Sequence, residues 1–134
     1  MVRLRSMFGI VVVFNAAALV AAEPDFTRDV RPVLEQHCFK CHGDKKQQGG
    51  LRFDVRGGAL RKGESGAIAI APGKADASEL IRRIMSRDDD ERMPPEGDRL
   101  TAKQIELLRQ WISQGAEWPE DAGSVGPSGR KEMV

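Results

Sequence analysis

Cys38-Phe39-Lys40-Cys41-His42 is the segment of this 134-residue chain whose residue types and spacing point to covalent chemistry. Two thiols three residues apart, with an imidazole directly after the second, form the C-x-x-C-H attachment signal for a c-type haem. The spacing has a physical reason. Positions i, i+3 and i+4 share one face of a helical turn. Both thiols then reach the two vinyl groups at one haem edge while the His42 ring swings under the iron. The chain has two cysteines, and both lie in this motif.

Three other readings compete at this point. A redox dithiol also uses C-x-x-C, but no βαβ pattern surrounds these residues. Half of a zinc site is a second option, yet four N or S ligands are usual and only His37, next to Cys38, remains. A structural disulfide is the third, though so short a span restrains little chain entropy.

An iron held by one His needs its sixth position explained, and Met93 is the candidate. Pro94 biases Met93 toward an extended conformation, and Pro95 stiffens the loop that follows. Such a loop presents a thioether at fixed depth with little entropy left to lose. Methionine opposite histidine raises the reduction potential, which suits an electron carrier. Met85 is expected in the core, on the apolar face of a helix, and Met133 falls near the end of the chain. His37 is a weaker rival, because it neighbours Cys38 on one helix and is expected simply to pack there. Trp111, Arg52 and Arg56 could each donate to a haem propionate. The plainer expectation is a core Trp and exposed arginines.

The elements that must position these groups follow from periodicity. Val30, Val33, Leu34, His37, Cys38 and Cys41 recur at helical spacing, predicting a helix from about Asp29 to His42 with Asp29 as its cap. Residues 43–74 are rich in glycine and charge and read as an ordered loop with room for one small hairpin. Asp76 and Glu79 suggest a capping box for a short helix carrying Leu80, Ile81, Ile84 and Met85, ending by Arg87. The acidic run from Asp88 to Glu91 reads as a solvated turn, repelled by the helix C-terminus. Thr101 and Gln104 form a second capping box, with Leu100 and Ile105 as a hydrophobic staple. Leu108, Trp111 and Ile112 continue that face, and Gly115 stands where a left-handed cap is wanted.

Composition narrows the class. A formal charge of +1 offers no basic surface for nucleic acid. Five Phe, two Trp and no Tyr make a thin aromatic supply, so a buried cofactor would help fill the centre. Residues 1–22 read as a secretory signal peptide: Arg3 and Arg5, a mostly apolar stretch from Met7 to Val20, then Val20-Ala21-Ala22. The apolar run is shorter than a membrane span and carries Asn15. Cleavage removes two arginines and no acid, turning +1 into −1. Residues 23–118 are then the domain, and 119–134, rich in Pro, Gly, Ser and charge, are expected to be a disordered tail or linker.

Taken together, Phe26-Thr27-Arg28-Asp29-Val30-Arg31-Pro32-Val33-Leu34, the Cys38–Gly43 run and Gly49-Gly50-Leu51-Arg52-Phe53-Asp54 resemble the planctomycete-type cytochrome c domain. So do Gly63-Glu64-Ser65-Gly66, Pro72-Gly73-Lys74, Ser78-Glu79-Leu80-Ile81, Met93-Pro94-Pro95 and Trp111-Ile112-Ser113-Gln114-Gly115-Ala116. The resemblance covers Phe26 to Trp118. It implies an all-α, cytochrome c-like domain of three to four helices around one covalent haem c, with His42 and Met93 as axial ligands. Familiar small cytochromes also have a Pro soon after the motif, whose carbonyl orients the histidine. The next proline here is Pro72, which leaves that partner of His42 to be found. Family members often carry this module at the front of longer proteins, so a free carrier and a shortened relative are both expected forms.

The expected function is an exported single-haem electron carrier that transforms no substrate, working with redox partner proteins. Neither nucleic acid binding nor stable membrane insertion after leader removal is expected. One alternative is a haem peroxidase or gas sensor with an open sixth site. The other is a zinc or dithiol module without haem.

Overall fold

The computed structural model describes residues 22–120, and its first ordered turn begins at Asp25. The Asp25 carboxylate accepts the Arg28 N–H at 2.7 Å, and the Asp29 carboxylate accepts the Asp25 N–H at 2.9 Å. Asp25, not Asp29, is therefore the cap. Residues Phe26–Val30 form a widened π turn that runs straight into α1, Arg31–His37. In an unbroken α ladder the Pro32 ring would press on the Arg28 carbonyl and withhold an N–H. The widened turn falls where that conflict would arise.

α1 stops at His37, short of the His42 that periodicity suggested. Cys38 leaves helical geometry with φ −122°, yet one further turn closes after it. The Cys41 and His42 N–H groups both donate to the Cys38 carbonyl, at 3.2 and 2.9 Å. The motif thus keeps the hydrogen-bond spacing of a helical turn outside the regular helix.

The glycine-rich loop is ordered and folds back on the motif. Gln48 donates its N–H to the Cys41 carbonyl at 2.9 Å, and Phe53 to the His42 carbonyl at 2.8 Å. A short 3-10 turn, Gln48–Gly50, lies between them. The expected hairpin shrinks to two isolated antiparallel bridges, His42 with Gln47 and Lys62 with Ile68. A one-turn helix, α2 (Arg56–Ala59), was hidden from propensity reasoning by Gly57 and Gly58. Close packing explains Gly58, since a Cβ there would lie 2.6 Å from the Arg52 Cβ.

α3 spans Glu79–Met85 and buries Leu80, Ile81 and Ile84. Two expectations fail here. Asp76 does not cap it but pairs with Arg109 at 2.6 Å. Ser78 takes the N-cap position, though its hydroxyl bonds the Lys74 carbonyl and the Ala71 N–H instead of the helix. Met85 is 53% exposed rather than core, with its sulfur 3.8 Å from an Arg109 nitrogen. The acidic run forms a turn as expected, but Glu91 is tied to Arg82 at 2.6 Å.

α4, Ala102–Ser113, matches its sequence signals closely. Thr101 and Gln104 exchange both capping-box hydrogen bonds, at 3.1 and 2.9 Å. Leu100 is buried and Ile105 packs partly buried against the core. Gly115, at φ 112°, ends the helix in a Schellman closure: Ala116 N–H donates to the Trp111 carbonyl and Gly115 N–H to that of Ile112.

The N- and C-terminal ends of the domain meet in one aromatic cluster. Phe26 lies 4.3 Å from Trp118 and 5.7 Å from Trp111 between ring centroids. Val30, Leu34, Leu108 and Ile112 complete this side of the core. The described residues hold four α-helices and no strand, so the all-α expectation stands. The expected leader, apart from Ala22, and the expected tail beyond Glu120 lie outside them.

Candidate functional site

His42 is placed by the loop that returns beneath it. The ring is buried and meets Phe53 edge-on at 5.3 Å. Its Nδ1 is buried without a partner in hydrogen-bond geometry. Burial pushes the imidazole below its ordinary pKa; the nearby carbonyls of Gln48 and Leu51 pull the other way, and Arg83 adds slightly to the lowering. No described residue bonds Nδ1 in place of the carbonyl that a following proline would offer.

The thiols differ. Cys38 is buried, and that burial, with Cys41 beside it, pushes its pKa up to about 12. Cys41 is half-buried, and both are free thiols. The structural-disulfide reading therefore has no bridge behind it. Among the described residues no group of three or more His, Cys, Asp or Glu could hold a metal ion, which leaves the zinc reading without a ligand set.

Both thiols, His42 and Met93 line one cavity of about 850 Å³. That is the size range of cofactor pockets, and the lining includes the apolar Phe53, Leu80, Ile84 and Leu100. Met93 sits on the loop after α3, partly buried against the core, and its N–H donates to the Arg83 carbonyl at 3.1 Å. The Met93–Pro94 peptide is cis, and both prolines that follow Met93 also line the cavity.

The other candidates separate. His37, at the end of α1, borders the same cavity, and its Nε2 is buried without a partner among the described residues. Trp111 does not reach the cavity; its indole N–H donates to the Glu117 carbonyl at 2.9 Å, which makes it the core residue of the plainer expectation. Arg52 pairs with Asp54 and Arg56 is exposed, and neither borders the cavity. Arg83 and Glu79, which sequence reasoning passed over as site residues, are on its wall.

Gly43 keeps the motif closed. A Cβ there would lie 2.5 Å from the Phe39 carbonyl oxygen. Gly43→Ala is expected to destabilise the fold by about 1–3 kcal/mol, read from denaturant unfolding. An unchanged midpoint would show that the turn gives way freely.

Residues 38–97 match the family model described as Planctomycete cytochrome C. The chain carries a planctomycete-type cytochrome c domain. The matched span runs from the first thiol of the motif past Met93 and holds most of the cavity lining. A cytochrome c domain binds haem and generally serves as an electron carrier, and the cavity fits such a group. It gathers two thiols and a nearly orphaned imidazole in an apolar setting. No curated protein and no solved structure matches the chain. No described helix is long and apolar enough to cross a membrane.

Proposed function

We propose that this cytochrome c domain is an exported carrier of single electrons, holding one haem c. Cys38 and Cys41 are its covalent anchors, and His42 and Met93 its axial ligands. The observation that carries this reading is that all four side chains line one cavity, although they come from the end of α1 and a loop beyond α3. Bound there, the haem supplies a one-electron iron couple.

The chain's own residues do the rest. Nδ1 of His42 is buried without a partner, and burial disfavours the charged imidazolium, which suits a ring that binds iron in its neutral form. Phe53 fixes the ring's orientation from the side. Leu80, Ile84 and Leu100 exclude water from the interior, and a low-polarity setting helps set the potential. The basic start, apolar run and small residues of 1–22 support export, and redox proteins are the partners such a carrier requires.

The test is an absorption spectrum of protein exported in cells with c-type haem maturation machinery, followed by acid–organic extraction. Haem that stays with the polypeptide is the expected result. Extractable haem or colourless protein, beside a control cytochrome that matures normally, would overturn the assignment.

A further inference from the structure

Arg83 stands on the cavity wall with a geometry that its sequence position does not reveal. Its side chain is 28% exposed, and its Nε donates to Glu79 Oε1 at 2.8 Å. Nη1 donates to the Glu91 carbonyl at 3.3 Å. These bonds fix the guanidinium plane and leave Nη2 without a partner among the described residues. The Arg83 carbonyl accepts the Met93 N–H, so this residue also anchors the loop that carries Met93. Its charge is felt at His42 as well. Lys40 and Lys46 border the cavity too, but both are exposed.

We propose that Arg83 contacts the haem directly, with Nη2 donating to a propionate carboxylate and the guanidinium charge favouring the reduced iron. The inference rests on the cofactor reading above. A haem brings two carboxylates, and one drawn toward a partly buried wall is costly without a partner. Arginine's planar fork suits a carboxylate better than a lysine point charge does. Oxidised iron carries one more positive charge than reduced iron. A carboxylate left uncompensated nearby therefore stabilises the oxidised form, and Arg83 offsets it. Glu79 acts in the opposite sense: it orients Arg83 but adds a negative charge to the same wall.

Glu79 gives the test its sign. Reductive titration of the haem-loaded protein should show Arg83→Gln lowering the equilibrium constant for reduction roughly tenfold, or about 59 mV for one electron. Glu79→Gln should raise it, and Arg83→Lys should recover most of the wild-type value. A purely structural ion pair predicts the same direction of shift for both glutamine variants. That result, or no shift in either with the haem still attached, overturns the role of Arg83 alone. Wild-type protein without attached haem overturns the cofactor reading and this inference with it.

Discussion

Met93→Ala is expected to lower the reduction potential by about 100 mV or more, a visible share of the roughly 0.8 V range that axial ligands set. The thioether favours reduced iron, so its loss shifts the balance toward the oxidised state. Potentiometric titration reads the shift directly. The reduced variant should also bind carbon monoxide fast at neutral pH, whereas the wild type should bind it slowly. An unchanged potential would sink the ligand assignment. Rapid carbon monoxide binding by the wild type would instead favour the open-site reading.

No other described methionine stands ready to replace Met93. Met85 is 53% exposed beside Arg109, and it borders no part of the main cavity. Met85→Ala should therefore leave the potential where it is, a control for nonspecific loosening of the loop. Met93→Leu keeps the apolar volume that packs against the core and removes only the sulfur. A fall in potential for Met93→Leu that matches Met93→Ala would tie the effect to ligation rather than to packing.

What could be read from the sequence was local. The C-x-x-C-H run and the Thr101–Gln104 box are complete within a few residues, and their geometry follows from helical spacing. The Gly115 closure depends on a backbone conformation that glycine adopts without strain. What stayed hidden depends on residues distant in sequence. Asp76 has a good capping pattern, but Arg109 of α4 comes within 2.6 Å and takes its carboxylate. Met85 lies on a face whose other members are buried, yet α3 ends there and leaves it outside. The Gln48 and Leu51 groups that act on the His42 pKa are main-chain, and so carry no residue-type signal at all. Arg83 looks like an ordinary member of a charged helix until the Met93 loop returns to its carbonyl.

Trp111→Ala is expected to destabilise the fold by about 3–5 kcal/mol, the range for truncating a buried aromatic. Against a total of about 5–15 kcal/mol for a domain, that is a large fraction. Trp111 is 2% exposed and touches both Phe26 and Trp118, each at 5.7 Å between centroids. It therefore joins the turn that starts α1 to the segment that follows α4. The motif hangs from the end of α1, so loosening this junction should also lower the yield of haem-loaded protein. Trp111→Phe separates two contributions. It keeps most of the ring contacts but removes the N–H that satisfies the Glu117 carbonyl, a loss of about 1 kcal/mol. Denaturant unfolding of both variants should rank them wild type, Phe, Ala, with the larger step between Phe and Ala. Equal loss in the two variants would mean that the hydrogen bond, not the aromatic packing, holds the ends of the domain together.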